Sequence, residues 1–88
     1  MDYDKPDLVL YIEKGCPYCL RVTDFLKENK LSIPIKEIWH DEANQKEYKD
    51  LTFNKIERRV PLLSVDGEPM IESLDIIEKL KDIYQINK

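Results

Sequence analysis

Residues 15–19, GCPYC, follow directly after the apolar run LVLYI at residues 8–12 and contain both cysteines of the chain. An apolar run without alternation predicts a strand that is covered on both faces, at the centre of a sheet. Pro17 suits the first turn of a helix, where its missing N–H would have had no intrahelical partner. We therefore predict that Cys16 lies exposed at the N-cap of a helix, with Cys19 one turn further along. The helix dipole and the unpaired N–H groups of the first turn favour a thiolate at Cys16.

The two cysteines could form a structural disulfide, bind a metal or act as a redox pair. A disulfide across two residues closes too small a loop to constrain the unfolded chain much. A four-ligand zinc site would need two further ligands, and His40 is the only candidate besides carboxylates. The redox pair is therefore the favoured interpretation, and no metal site is expected.

The composition predicts one soluble domain over residues 1–88. The chain is 42% hydrophobic and 36% charged, and no apolar run approaches the roughly 18 residues that a bilayer span needs. Residues 1–6 form a polar lead-in without the features of a signal peptide, so a cytoplasmic protein without a membrane partner is expected. The net charge of −4 argues against nucleic acid as a partner. We expect a monomer.

The first half of the chain predicts a parallel crossover unit. A helix is expected from Pro17 to about residue 29, with Val22, Phe25 and Leu26 on its buried face and Arg21 towards solvent. The two strands that this helix connects would lie side by side and run in the same direction.

Residues 32–39 predict a strand, which Pro34 moves away from the fully bonded centre of the sheet. The residues expected to point inward are Ile33, Ile35 and either Ile38 or Trp39. Asp41 is a candidate N-cap for a polar surface helix over residues 42–51.

The second half of the chain predicts a hairpin and a last helix. Residues 60–65 and 68–71 flank the turn signal Asp66-Gly67, and Pro69 marks the second strand as an edge. A helix is expected from Ser73, with an apolar stripe made of Leu74, Ile76, Ile77, Leu80, Ile83 and Tyr84. These elements predict an α/β fold, in which a four-stranded mixed sheet is flanked by three helices.

This order of elements, the tetrapeptide at residues 16–19 and the later Val60-Pro61 together resemble the glutaredoxins over essentially the whole chain. The resemblance implies a thioredoxin fold and a catalytic pair, Cys16 and Cys19. It also implies that Pro61 is cis and faces the cysteines, while the Val60 backbone pairs with the cysteine moiety of bound glutathione. Tyr18, beside the first thiol, is a candidate to pack on the substrate.

Glu72-Ser73 is similar to the Glu-Ser pair in the N-terminal domain of glutathione transferases and of transferase-like glutaredoxins. That resemblance implies contact with the γ-glutamyl end of glutathione. Many glutaredoxins have a lysine three residues ahead of the first cysteine, where this chain has a glutamate. The glycine carboxylate of glutathione is therefore assigned to Lys14, or to Arg58 and Arg59, since an Arg fork binds a carboxylate well.

The resemblance implies a glutathione-dependent thiol–disulfide oxidoreductase that acts on protein–glutathione mixed disulfides and protein disulfides. Glutathione would be its co-substrate, and no tightly bound cofactor is expected. Three alternatives remain open: a thioredoxin-like reductase served by a flavoprotein, a module that holds an iron–sulfur cluster with glutathione as co-ligand, and an isolated fragment of a transferase.

Overall fold

The computed structural model describes residues 6–86, and all but the last residue of the predicted lead-in lies outside that range. The described residues form four strands and three helices. In chain order these are β1 (Leu8–Ile12), α1 (Pro17–Glu28), β2 (Ile35–Glu37), α2 (Glu42–Thr52), β3 (Leu62–Val65), β4 (Glu68–Ile71) and α3 (Ser73–Tyr84). Within residues 6–86, no helix combines the length and the apolar character that crossing a bilayer requires.

The four strands form one mixed sheet in the order β2-β1-β3-β4. β1 pairs with β2 in parallel and with β3 antiparallel, and β3 pairs antiparallel with β4. β1 is thus interior, as its continuous apolar sequence predicts, and the two proline-containing segments lie at the edges. The predicted thioredoxin fold, a four-stranded mixed sheet with three helices, is confirmed.

Hydrophobic side chains cover both faces of the sheet. The larger cluster joins β1 and β3 to α1 and α3, and its buried members are Leu8, Leu10, Val22, Leu26, Leu63, Ile76 and Leu80. The smaller cluster joins the other face to α2, through Tyr11, Ile38, Tyr48 and Leu62. Because both faces of β1 are buried, the loop that follows it is held firmly at the carboxyl end of the sheet.

The prediction for the second strand is wrong in its bounds, which are Ile35–Glu37 rather than 32–39, and in the burial of Ile35. β2 begins at Ile35 rather than at residue 32, because Pro34 has no N–H to donate to the ladder, although its carbonyl accepts from Leu10. Ile35 is 46% exposed rather than inward, since an edge strand has a neighbour on one side only. Of the two alternatives for the last inward position, Ile38 is buried and Trp39 is exposed.

The apolar stripe of α3 is confirmed for its buried members, Ile76 and Leu80. Leu74 does not belong to it, because its side chain is 63% exposed in the first turn of the helix. The predicted N-cap of α2 is confirmed, since the Asp41 carboxylate accepts the backbone N–H groups of Ala43 and Asn44.

Candidate active site

Cys16 is the N-cap residue of α1, as predicted, with extended backbone angles, but it is half-buried rather than exposed. Its sulfur accepts the backbone N–H of Cys19 at 3.3 Å, and its own N–H donates to the carbonyl of Glu13. Gly15 turns the chain into the helix with a φ of +79°, a conformation that glycine adopts without strain. The Cys16 sulfur therefore lies where the first turn of a helix offers donors to an anion.

Cys19 is buried, with 3% of its surface exposed. The pKa of its thiol is raised from 9.0 to about 12, mainly by burial and in smaller part by the neighbouring Cys16 and Glu13 side chains, against a backbone hydrogen bond at Glu13 that lowers it. At neutral pH Cys19 therefore remains a neutral thiol. Both cysteines are free rather than joined in a disulfide.

The Val60-Pro61 peptide bond is cis, as the resemblance implies. The Val60 carbonyl faces Cys16 and lies 3.9 Å from its sulfur. Within residues 6–86, the N–H of Val60 has no hydrogen-bond acceptor. Beside the thiol there is thus a short stretch of backbone with a free donor, which suits the main chain of a peptide-like ligand.

An open groove of about 790 Å³ runs from this backbone to the start of α3. The residues that line it are Tyr18, Arg21, Arg59, Val60, Pro61, Glu72, Ser73, Leu74 and Asp75. Six of them were predicted from the sequence as glutathione-binding residues, namely Tyr18, Arg59, Val60, Pro61, Glu72 and Ser73. The groove brings these six together next to Cys16.

The Glu72-Ser73 junction has an unusual backbone. Glu72 adopts a φ of +80° and a ψ of 110°, and its side chain makes no capping hydrogen bond to α3. Non-glycine residues in such conformations cost free energy and cluster at functional sites. The Glu72 carboxylate instead accepts from the Arg59 guanidinium at 3.0 Å, so the first N–H groups of α3 are left without a side-chain cap and can bind a carboxylate.

The three cations proposed for the glycine carboxylate have different positions. Arg59 lines the groove. Lys14 is exposed and outside the groove lining, and its backbone N–H donates to the Glu37 carboxylate at 3.3 Å. Arg58 points towards α2, where its Nε donates to the Thr52 hydroxyl at 3.3 Å.

The sequence did not predict three of the groove residues: Arg21, Leu74 and Asp75. Arg21 is exposed, as predicted, and its guanidinium donates to the Ser73 hydroxyl at 3.4 Å and lies 5.5 Å from the centre of the Tyr18 ring. The spacing contains a signal, because residues three apart share a helix face and Tyr18 is three residues before Arg21. The Ser73 contact is not visible in the sequence, because it joins two helices 52 residues apart.

The fold and the cysteine pair define a thioredoxin-like redox domain. Residues 10–88 match the family of the glutathione S-transferase N-terminal domain, and the chain belongs to that family. Comparison with curated proteins gave no significant match.

Three solved structures illustrate the likeness. The thioredoxin-like protein BC3987 is 25% identical, with a TM-score of 0.68 over 86% of this chain and 97% of that protein. Glutathione transferase Omega 3C from Trametes versicolor is 28% identical, with a TM-score of 0.72 over 93% of this chain, which spans 35% of the transferase chain. The holo form of glutaredoxin C1 from Populus tremula x tremuloides shares the fold, with a TM-score of 0.62 at 20% identity over 88% of this chain and 76% of the glutaredoxin.

Proposed function

We propose that this protein is a glutathione-dependent thiol–disulfide oxidoreductase. The observation that carries the proposal is the position of the Cys16 sulfur, which accepts a helix N–H and lies against the Val60 carbonyl beside the groove. A thiolate in this position is stabilised by the first turn of α1 and remains open to a disulfide. The groove residues that the glutaredoxin and transferase resemblance implies support glutathione as the co-substrate.

In the proposed reaction, the Cys16 thiolate attacks the glutathione sulfur of a protein–glutathione mixed disulfide. The old sulfur–sulfur bond breaks, the protein leaves as a thiolate that takes a proton from water, and a Cys16–glutathione disulfide forms. The thiolate of a second glutathione then attacks the bound glutathione sulfur. Oxidised glutathione leaves, and the Cys16 thiolate is regenerated. One free glutathione is consumed: its sulfur is oxidised to the disulfide level while the protein sulfur is reduced to a thiol.

Protein disulfides require Cys19 in this scheme. After Cys16 has formed a mixed disulfide with the substrate, Cys19 loses its proton and attacks the Cys16 sulfur. The substrate leaves fully reduced, and two glutathione molecules reduce the resulting Cys16–Cys19 disulfide. Because burial raises the pKa of Cys19 to about 12, few Cys19 thiolates are present at neutral pH, which favours the route through glutathione alone.

The test measures reduction of a glutathionylated peptide by the purified protein, with glutathione, glutathione reductase and NADPH. Cys16→Ser should abolish turnover, because the remaining thiol, Cys19, is buried and cannot take up the glutathione. Cys19→Ser is the matched control: it should retain turnover of the glutathionylated peptide and lose reduction of a protein disulfide. An inactive wild-type protein, or an active Cys16→Ser variant, contradicts the proposal, and activity with thioredoxin reductase alone would favour the flavoprotein-served alternative.

A further inference from the structure

We propose that Arg21 binds the α-carboxylate of the γ-glutamyl residue and so determines specificity for glutathione over thiols that lack this group. The inference rests on the proposed function and deepens it. Within residues 6–86, Arg21 and Arg59 are the two guanidinium groups that line the groove. The two guanidinium groups differ in whether a carboxylate of the protein already pairs with them.

Arg59 is neutralised by protein carboxylates. Its Nη1 lies 3.0 Å from an oxygen of Glu72, and its Nε lies 3.1 Å from an oxygen of Glu57. A ligand carboxylate that approached Arg59 would compete with two carboxylates that already hold the guanidinium. Arg59 is therefore the weaker anion site of the two.

Arg21 has no carboxylate partner in the described part of the chain. Its Nη1 donates to the neutral Ser73 hydroxyl at a long 3.4 Å, and its guanidinium lies over the Tyr18 ring. The ring orients the guanidinium without cancelling its charge. Arg21 thus keeps a full positive charge and unused N–H donors in the groove, and a planar guanidinium can bind both oxygens of a carboxylate.

The distance from Cys16 to Arg21 indicates which of the two carboxylates of glutathione Arg21 binds. Arg21 is five residues after Cys16 along α1, which corresponds to about 7–8 Å along the helix axis at about 1.5 Å per residue. An extended chain advances about 3.3–3.6 Å per residue, so a γ-glutamyl residue attached to a cysteine whose sulfur lies at Cys16 spans this distance. Arg21 also contacts Ser73, the residue proposed to bind the γ-glutamyl end.

The experiment compares two mixed disulfides of one peptide. In the first, the small thiol is glutathione. In the second, it is 4-aminobutyryl-cysteinylglycine, which differs from glutathione only by the missing α-carboxylate. Initial rates of peptide release give kcat/KM for each substrate.

For the wild-type protein, kcat/KM should be higher for the glutathione disulfide than for the analogue disulfide. Arg21→Gln should lower kcat/KM for that disulfide by roughly tenfold to a hundredfold, the usual worth of a hydrogen bond to a charged group. The same variant should leave kcat/KM for the analogue unchanged, and Arg21→Lys should recover part of the loss. Lys27→Gln removes an equal charge from an exposed position in the last turn of α1 and should match wild type on both substrates.

Two results would overturn the role of Arg21 while the proposed function stands. One is a wild-type protein that turns over both disulfides equally well. The other is an Arg21→Gln variant whose kcat/KM falls by the same factor for both substrates, or for neither, while its circular dichroism spectrum is like that of wild type. A wild-type protein that releases no peptide from either disulfide refutes the proposed function itself.

Discussion

Cys16 and Cys19 lie one helical turn apart, yet their surroundings differ. The Cys16 sulfur is at the helix end and accepts an N–H, whereas Cys19 is buried, with 3% of its surface exposed. Burial raises the pKa of the Cys19 thiol to about 12, so at neutral pH that residue is a poor nucleophile. The different roles proposed for the two thiols thus rest on their burial rather than on the residue type.

This asymmetry can be measured in a Cys16→Ser variant labelled with ¹³C at the Cβ of cysteine. Burial, the largest cause of the raised pKa, persists in this variant, so the Cys19 ¹³Cβ signal should show no titration step from pH 7 to about pH 10. The same variant in concentrated urea should titrate near the ordinary thiol value of about 8.5. A step between pH 8 and pH 9 in the folded variant would show that the buried thiol ionises readily.

At the scale of elements, α2 positions the backbone that faces Cys16. The Tyr48 hydroxyl donates to the carbonyl of Arg59 at 2.9 Å, directly before Val60-Pro61. Burial raises the pKa of Tyr48, so this donor keeps its proton throughout the physiological range. The sequence predicts α2 as a polar surface helix. Through the buried Tyr48 hydroxyl, this helix fixes the backbone at Val60-Pro61, which forms one wall of the groove.

Tyr48→Phe removes that hydrogen bond and leaves the ring in place. The Arg59 carbonyl loses its partner, so the Val60 backbone is held less firmly. We expect the KM for a glutathionylated peptide to rise roughly threefold to tenfold, the equivalent of about 1 kcal/mol, with little change in kcat.

Tyr11→Phe is the matched control for this variant. Tyr11 pairs with Tyr48 in the same cluster, with ring centres 6.1 Å apart, but its hydroxyl donates to Glu47 rather than to the groove wall. Loss of the Tyr11 hydroxyl should lower the free energy of unfolding and leave KM for the glutathionylated peptide unchanged. If both variants raise KM alike, the effect comes from the cluster as a whole, and Tyr48 has no separate positioning role.

The elements that could be predicted from the sequence are those whose apolar pattern is strong and local. β1, α1 and α3 have continuous or helical apolar spacing, and their predicted positions are close to the observed ones. The N-cap position of Cys16 also follows from local sequence, because a strand, a glycine and Pro17 fix where the helix begins.

Contacts between distant elements could not be predicted in this way. Periodicity assigned Leu74 to the core stripe, but the first turn of α3 borders the groove, so that side chain is exposed. Arg21 is exposed, as predicted, but nothing in its own helix indicates that Ser73 lies opposite. Neighbouring Arg58 and Arg59 are equivalent in the sequence, and only the fold directs one to α2 and the other to the groove.

At the scale of the whole molecule, residues 6–86 bury three groups that release protons at high pH, Tyr11, Tyr48 and Cys19, and burial raises the pKa of each. Tyr11 is 5% exposed and Cys19 is 3% exposed. Burial, followed by the hydrogen bond to Glu47 and the charge of that carboxylate, raises the pKa of Tyr11 from 10.0 to about 12. The pKa of Cys19 is raised as well, from 9.0 to about 12. The folded chain therefore keeps protons on these groups that the unfolded chain releases at lower pH.

We expect the free energy of unfolding to decrease as the pH rises above about 9. Between the ordinary pKa of each group and about 12, the unfolded chain has lost a proton that the folded chain keeps, so each pH unit favours unfolding by about 1 kcal/mol per group. Cys19 contributes above about pH 9 and Tyr11 above about pH 10. Urea unfolding followed by circular dichroism under reducing conditions, at several values from pH 8 to pH 11, measures this slope.

Tyr11→Phe isolates the contribution of the phenol. Above about pH 10, its free energy of unfolding should fall less steeply than that of wild type, by the equivalent of one proton. Tyr18→Phe, which removes a phenol that is 58% exposed in the folded chain, is the matched control. Equal slopes in wild type and Tyr11→Phe would mean that Tyr11 ionises in the folded protein as it does in the unfolded chain, and that its hydrogen bond to Glu47 does not hold the proton.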